Sequence, residues 1–279
     1  MSLPSPLFRC PVCQEPLIQK ERTLACNQRH SYDQAKQGYW NLLLVQRKRS
    51  KDPGDNPEMV SARSRFLDQQ HYKPLAEAVC RIALEQLKDT PSPKVLDMGC
   101  GEGYYTEHVA NALFTKTPSL IGLDISKHAI KAACKRTKAV HWLVASGAEM
   151  PVPESSQDLL LVMFSRVMPE PFAKVVKHGG TLILVWPAQQ HLIELRQAIY
   201  SQIKTSNFNP VADLDLYFEC QRQDKLTFQF ALDDNDDIEA LLSMTPHSQR
   251  MAPDNRARLL DQKPLHLTFD VNIGVFSRR

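Results

Sequence analysis

Four side chains that commonly bind metals stand close together near the N-terminus. Cys10 and Cys13 form a Cys-x2-Cys pair, and twelve residues separate it from the Cys-x3-His pair of Cys26 and His30. This spacing matches a tetrahedral structural zinc site, and the segment 17–24 is long enough for a short hairpin between the pairs. A redox Cys-x2-Cys pair fits less well, because no strand-to-helix context surrounds it. Since four protein ligands close the coordination shell, the predicted zinc is structural rather than catalytic.

A glycine-rich loop is the second feature with chemical potential. Within residues 94–106 an apolar strand ends in Asp97, glycines follow at alternate positions from Gly99 and Gly101 onward, and a helix begins. Glycines permit a sharp turn and leave room for a ligand against the backbone. A second apolar strand ends in Asp124, where a carboxylate can accept hydrogen bonds from ribose hydroxyls. A tight turn that binds no ligand is the alternative for this pattern.

The charges around this loop favour one class of ligand. Asp97 and Glu102 flank it, and a carboxylate beside a phosphate is unfavourable, whereas a dinucleotide would place its pyrophosphate at the helix N-terminus. S-adenosylmethionine carries an ammonium and a sulfonium, which suit acidic neighbours. The pattern therefore favours a methyl donor over NAD, with the loop 146–153 near the adenine.

The elements that must position these residues alternate between strands and helices. Beyond the two strands above, apolar segments predict further strands at 141–145, 159–164, 181–186, 226–232 and 265–276. Strands that alternate with helical patterns are typical of a doubly wound parallel sheet. The predicted fold class is α/β, a Rossmann-like methyltransferase domain with a small N-terminal zinc ribbon.

Composition excludes several classes of protein. With 279 residues, of which 43% are hydrophobic, the chain can build packed cores and is not disordered, and its length favours two units. No run approaches the roughly 18 apolar residues of a membrane helix. The start of the chain lacks a targeting signal, and seven cysteines do not resemble a secreted disulfide framework. We therefore expect a cytoplasmic protein without a membrane partner.

The small net charge of +3 is unevenly distributed. Residues 1–51 hold nine Lys and Arg against three acids, a net +6, so the rest of the chain carries −3. Basic residues beside aromatic ones suit single-stranded or looped RNA, although a solvated linker is the simpler alternative. We predict an RNA-recognising zinc ribbon over 1–45, a basic linker over 46–75 and a methyltransferase domain over 76–279.

Six further motifs lie along the chain after the ribbon spacing. They are Asp33-x-Ala35-Lys36-x-Gly38-Tyr39-x-Asn41-Leu42-Leu43, Asp52-Pro53-Gly54-Asp55, His71-Tyr72-x-Pro74-Leu75, Gly99-Cys100-Gly101-Glu102-Gly103-Tyr104-Tyr105-Thr106, Gly122-Leu123-Asp124-x-Ser126-Lys127 and Met244-Thr245-Pro246. In this combination the chain resembles the bacterial 23S rRNA (guanine-N1)-methyltransferases of the RlmA type, over nearly its whole length.

The resemblance implies a class I methyltransferase fold, S-adenosylmethionine as methyl donor, and a homodimer. As substrate it implies a 23S rRNA hairpin, methylated at N1 of a guanine (guanine 745 in the family's name). By position, it implies that the donor contacts Tyr72, Gly101, Glu102, Asp124 and His191, beside Asp97 and Gly99 of the same loop. Zinc would be bound by Cys10, Cys13, Cys26 and His30.

Two segments depart from the family pattern. Where the family has a Tyr/Phe-Ala/Ser-Pro turn beside the target base, this chain has Phe164-Ser165-Arg166. Where aromatics follow Met-Thr-Pro in the family, it has His247-Ser248-Gln249-Arg250. Phe164 or Tyr105 is our candidate to stack on a flipped guanine, with plain core packing as the alternative, and no catalytic base is assigned.

The sequence is therefore compatible with three functions. The first is methylation of 23S rRNA. The second is RNA binding by a zinc ribbon attached to a catalytically impaired methyltransferase fold. The third is methylation of a small molecule, with the ribbon serving stability alone.

Overall fold

The structure, a computed structural model, describes residues 7–47, 50–200, 202–203, 207–245, 251 and 253–279, without the side chain of Arg47. Its strands form two sheets. The strands are β1 (Phe8–Arg9), β2 (Pro16–Lys20), β3 (Thr23–Ala25), β4 (Ser31–Asp33), β5 (Trp40–Asn41), β6 (Lys94–Met98), β7 (Ser119–Asp124), β8 (Val140–Val144), β9 (Gln157–Met163), β10 (Val176–Pro187), β11 (Phe218–Leu232) and β12 (Leu265–Arg278). The predicted strands are confirmed, although β10 begins five residues and β11 eight residues before the predicted starts.

The large sheet has the strand order β11-β12-β10-β9-β6-β7-β8-β5. From β10 to β5 all neighbours are parallel, whereas β12 runs antiparallel to β10 and to β11. The chain leaves β6 toward β7 and β8, then returns to place β9 on the other side of β6. The strand order thus reverses at β6, and crevices at such points bind ligands in open α/β sheets.

Helices cover the sheet because both of its faces are apolar. They are α1 (Pro57–Asp68), α2 (Lys73–Gln86), α3 (Tyr104–Ala112), α4 (Lys127–Arg136), α5 (Pro169–Val175), α6 (Ile193–Ile199), α7 (Pro210–Leu214), α8 (Asn235–Met244) and α9 (Pro253–Asp261). Side chains alternate between two cores: Val95 packs with α2, α3 and α4 on one face, and Leu96 packs with α5 and α7 on the other. None of the described helices combines the length and apolar content needed to cross a membrane.

The N-terminal ribbon shares the second of these cores. Phe8 is buried and its ring lies 5.8 Å from that of Trp40, which lies 6.4 Å from the ring of His141 on β8. The Arg9 amide donates to the Pro151 carbonyl at 2.9 Å, and β5 pairs in parallel with β8. The ribbon therefore takes the place of a helix layer over this part of the sheet.

The stretch predicted as a basic linker contains α1. Its N-cap Asn56 accepts a hydrogen bond from the Met59 amide at 2.9 Å, and a proline occupies the first turn, both common at helix starts. Phe66 and Leu67 are buried, and α1 packs against α8. The sequence did not predict this helix because its hydrophobic face is short and lies among charged residues. The division into three units stays a prediction.

Candidate functional site

A cavity of about 700 Å³ opens at the carboxyl ends of β6, β7 and β9. Its wall includes Asp97 at the end of β6, Asp124 at the end of β7 and Phe164 after β9. The turn 146–149 after β8 lines it too. The carboxyl ends of the central strands thus bring together the acids that the sequence separates by 27 positions.

The glycine loop between β6 and α3 has most of its amides engaged within the fold. The amides of Gly99 and Cys100 donate to the Leu123 carbonyl at 2.8 and 3.1 Å. The Gly101 amide donates to Asp124 Oδ2 at 3.0 Å, and that of Gly103 donates to the Cys100 carbonyl at 3.0 Å. With four of its amides occupied, the loop is a poor cradle for a phosphate or carboxylate. This agrees with the preference for a methyl donor over a dinucleotide.

Asp97 is a buried carboxylate with spare bonding capacity. Thr106 Oγ1 donates to its Oδ2 at 2.6 Å, but Oδ1 accepts no hydrogen bond from the described residues. Burial is the main cause that raises the pKa of Asp97 to about 7; the Thr106 bond opposes the rise, and the neighbouring carboxylates Asp124 and Glu102 add to it. An unpartnered buried acceptor in a cavity wall fits the ammonium group of a bound ligand.

Asp124 is held in place by backbone amides at both oxygens. Oδ2 accepts from Gly101 and Oδ1 accepts from the Ser126 amide at 2.7 Å. Burial raises the pKa of Asp124, and these two bonds counteract the rise. Because each carboxylate oxygen can accept a second bond, the fixed group can still bind the two hydroxyls of a ribose.

Glu102 lines the cavity, but its carboxylate turns to α4. It is 2% exposed, and its Oε1 lies 3.3 Å from Arg136 Nη2. Burial raises the pKa of Glu102, while the Arg136 guanidinium acts in the opposite direction. This ion pair fixes the loop to α4, a role that the sequence pattern did not predict.

Tyr72 and His191 lie behind the cavity wall rather than among its lining residues. The ring of His191 stacks on that of Phe164 with centroids 6.0 Å apart, and the Tyr72 ring lies 6.5 Å from His191. His191 Nδ1 accepts the Asp270 amide at 3.3 Å, so the ring proton of the neutral imidazole is on Nε2. The structure thus joins both residues to Phe164, and through it to the cavity.

Both candidates for stacking on a base line the cavity. Phe164 is 39% exposed and has a left-handed backbone with φ of 52°, held by its amide bond to the Val185 carbonyl at 3.0 Å. Tyr105, in α3, also lines the cavity and is half-buried. A strained non-glycine backbone persists only where its surroundings over-determine it, and such positions cluster at functional sites.

The segment before α1 closes one side of the cavity, which the sequence did not predict. Pro53, Gly54 and Asp55 line it, and Ser126 donates to the Asp55 carbonyl at 2.6 Å. A Cβ on Gly54 would lie 2.8 Å from Ser126 Cβ, and its φ of +84° favours glycine. The Pro-Gly pair was the available signal, but its role depends on a contact with a residue 72 positions later.

The four predicted zinc ligands converge in the ribbon. All their ligand atoms lie within 4.8 Å of one another, with Cys13 and Cys26 Sγ 3.6 Å apart and Cys26 Sγ 3.4 Å from His30 Nδ1. Tetrahedral bonds of about 2.3 Å place sulfur atoms about 3.8 Å apart, so the cluster fits a zinc ion. Tyr32 Oη lies 3.3 Å from Cys10 Sγ and can orient that thiolate.

Of the two segments that depart from the family pattern, the structure describes Phe164-Ser165-Arg166. Ser165 packs against the glycine loop, since a Cβ on Gly99 would lie 2.5 Å from its Oγ, and Arg166 is exposed at the cavity rim. His247-Ser248-Gln249-Arg250 lies outside the described residues, as do Lys48 and Arg49 of the basic segment.

Comparisons with known proteins cover both halves of the chain. A zinc-ribbon family model described as "RlmA, N-terminal" matches residues 8–51, and one described as "Methyltransferase domain" matches residues 95–180. A protein of Streptomyces fradiae named 23S rRNA (guanine(748)-N(1))-methyltransferase is 32% identical over 273 residues, which covers 95% of each chain. The Bacillus subtilis (strain 168) protein YxjB, provisionally named a 23S rRNA (guanine-N(1)-)-methyltransferase, is 29% identical and covers 96% of this chain and 95% of its own.

Other relatives match a smaller part of the chain. A demethylmenaquinone methyltransferase of Oceanobacillus iheyensis is 32% identical over 121 residues, which covers 39% of this chain and 50% of that protein. The Streptomyces fradiae and Bacillus subtilis relatives, which match 95% or more of this chain, are both named for 23S rRNA.

Proposed function

This chain belongs to the family of 23S rRNA (guanine-N1)-methyltransferases, and we propose that it methylates N1 of a guanine in a 23S rRNA hairpin. S-adenosylmethionine is the methyl donor, and the zinc is structural. The observation that carries the proposal is the alignment with a relative of that name over 95% of both chains, through ribbon and cavity alike. The small-molecule alternative, in which the ribbon serves stability alone, does not account for the alignment of ribbon and sheet together with a protein named for 23S rRNA.

The chain's own residues bind and orient the donor in this proposal. Asp124 binds the ribose hydroxyls, and the free oxygen of Asp97 receives the ammonium group. Gly99 and Gly101 allow the ligand close to the backbone, and Glu102 holds their loop through Arg136. Tyr72 and His191 support the wall that Phe164 forms, in line with the family resemblance.

The chemistry requires placement more than activation, because the sulfonium of the donor is already a reactive methyl source. Holding the attacking nitrogen in line with the methyl group supplies most of the acceleration. The guanine must leave its stack to reach the cavity, and the exposed ring of Phe164 or that of Tyr105 can stack on it. The N1 proton passes to a group or water that we do not assign.

Deleting the gene and analysing 23S rRNA by mass spectrometry tests the function directly. We expect one N1-methylguanine to disappear and to return when the gene is restored, and mapping it identifies the position. If the RNA is the same in both strains while the purified protein binds the donor, the small-molecule function replaces this proposal. If the protein binds RNA but not the donor, the impaired fold replaces it.

RNA affinity is expected to depend on the basic segment before α1. Replacing Arg47, Lys48, Arg49 and Lys51 together by Gln should weaken hairpin binding at low salt and flatten its salt dependence. The slope of log affinity against log salt should fall by roughly 0.7 to 0.9 for each lost phosphate contact. Filter binding at several salt concentrations measures both effects, and calorimetry should show unchanged donor affinity.

A matched variant controls for net charge. It replaces four lysines of the methyltransferase half that pair with acids or a backbone carbonyl, Lys88, Lys116, Lys174 and Lys177. Replacing these four by Gln should leave the salt slope unchanged. If both variants flatten the slope equally per charge, RNA binding follows overall charge and the basic segment has no special role.

Two further properties belong to the proposal. We propose a homodimer, in line with the family resemblance, and a cytoplasmic location, in line with a ribosomal RNA substrate and the absence of a helix that crosses a membrane among the described residues. Sedimentation equilibrium tests the first, since one chain has a mass of 31.7 kDa.

A further inference from the structure

The amino-acid end of the methyl donor carries a carboxylate that the glycine loop is not built to bind. Four of the loop's amides already donate within the fold, to the Leu123 and Cys100 carbonyls and to Asp124. The acids of the cavity wall, among them Asp55, Asp97 and Asp124, repel a carboxylate. A buried anion needs a charged or hydrogen-bonding partner, and a cation meets that need most strongly.

Two cationic side chains occur among the described residues that line the cavity, Arg63 and Arg166. Arg166 is exposed at the rim that Phe164 and Ser165 form. Arg63 reaches in from α1, and its Nη1 lies 3.8 Å from the position that a Cβ on Gly101 would take. Of the two, Arg63 therefore lies against the loop where the donor must pass.

The guanidinium of Arg63 is positioned by two partners and retains donors for a third. Nη1 forms an ion pair with Asp55, and Nη2 donates to the Met244 carbonyl at 3.3 Å. Its side chain is 25% exposed. A guanidinium has five N–H groups in a planar fork that matches a carboxylate, so two bonds leave three donors.

From this arrangement we propose that Arg63 binds the α-carboxylate of S-adenosylmethionine, while Asp97 Oδ1 receives its α-ammonium. Arg63 reaches the loop at Gly101 from α1, Asp97 lines the same cavity at the end of β6, and the two opposite charges match a zwitterion. Arg63 thus selects donors that carry the complete amino acid. This inference rests on the proposed function only in the identity of the donor.

A pair of ligands that differ in one group isolates the contact. S-adenosylmethionine and decarboxylated S-adenosylmethionine share the nucleoside, the sulfonium and the ammonium, and only the first has the carboxylate. Calorimetry should show that the wild-type protein prefers S-adenosylmethionine by about tenfold or more, the usual range for hydrogen bonds to charged groups. Arg63→Gln should remove that preference, because it should lower the affinity for S-adenosylmethionine and leave the affinity for the decarboxylated ligand nearly unchanged.

Two variants make the result specific. Arg65→Gln, on the same helix but bonded to the Asp236 carbonyl at 3.0 Å, should keep the full preference. Arg63→Lys keeps the charge without the fork and should restore part of it, which also serves if the Gln variant fails to fold. A preference that persists in Arg63→Gln, or an equal loss for both ligands, would overturn the assignment.

The outcomes are separable from those of the proposed function. If the wild-type protein binds neither ligand, the donor itself is wrong. If it binds both and methylates the hairpin, but Arg63→Gln discriminates as the wild type does, only the role of Arg63 fails.

Discussion

Removing zinc is expected to unfold the ribbon and to abolish methylation of the RNA hairpin. Structural zinc contributes about 10 to 16 kcal/mol in isolated zinc-finger peptides, as much as the 5 to 15 kcal/mol that stabilises a typical domain. The cysteine ligands Cys10 and Cys26 are buried in the same core as Phe8 and Trp40. Without the metal, the four ligand side chains no longer crosslink the ribbon, so we expect the packing around Phe8 and Trp40 to be lost.

Donor binding should weaken as well, though less than RNA methylation. The Arg9 amide bonds to Pro151, and β5 pairs with β8, so the loop that follows β8 and lines the cavity loses support. Thermal unfolding, metal content and calorimetry with S-adenosylhomocysteine measure the three consequences on chelated protein and on Cys10→Ser. Cys220→Ser, at an exposed cysteine of β11, is the matched control and should resemble the wild type. Full methylation by metal-free protein would contradict this expectation.

Replacing Asp97 by Asn is expected to weaken donor binding about 10- to 150-fold at pH 8, because a charge-assisted bond to the ammonium is lost. Burial raises the pKa of Asp97 to about 7, so the carboxylate that the ammonium needs is mostly protonated at pH 6. Affinity of the wild type for S-adenosylhomocysteine should therefore rise about tenfold from pH 6 to pH 8, as one proton is released on binding. The Asn variant should lack this pH dependence.

The free energy of unfolding should change with pH in the opposite direction to donor affinity. This difference distinguishes an effect on donor binding from an effect on folding. Since the folded pKa lies above the ordinary value of 3.8, the donor-free protein retains a proton that the unfolded chain has released. Its free energy of unfolding should fall as pH rises from about 4 to about 7. Asp97→Asn avoids this cost, so the variant should be more stable than the wild type at pH 8 while binding the donor worse. A pH-independent affinity in the wild type would reject the role of Asp97.

Local chemistry explains which parts of the site could be predicted from sequence. The zinc ligands lie within 21 residues, and their types and spacing reflect the metal directly. Asp97 and Asp124 end apolar strands of a doubly wound sheet, where topology dictates that they meet. These predictions needed no knowledge of long-range packing, and the structure brings the residues together.

The residues that sequence missed depend on contacts between distant segments. Arg63 belongs to a helix inside the predicted linker, and its place over Gly101 follows from the packing of α1 on α8. The pairing of Glu102 with Arg136 joins positions 34 apart, and nothing in either segment signals it. Phe164 was a candidate by resemblance, but its left-handed backbone and its stacking on His191 emerge only when β9, β10 and β12 are assembled.

The parallel pairing of β5 with β8 also bears on the order of events during synthesis. Trp40 and Asn41 leave the ribosome about 100 residues before Val140–Val144, an interval of about 5 to 20 s at ordinary translation rates. In that time the ribbon can bind zinc and fold, although the partner strand of β5 has not yet been synthesised. When β8 emerges, it can pair with β5 at once, so that its edge is not left free to pair with other chains. A ribbon that binds zinc before β8 emerges would therefore have β5 in place to cover the outer edge of the methyltransferase sheet as that sheet forms.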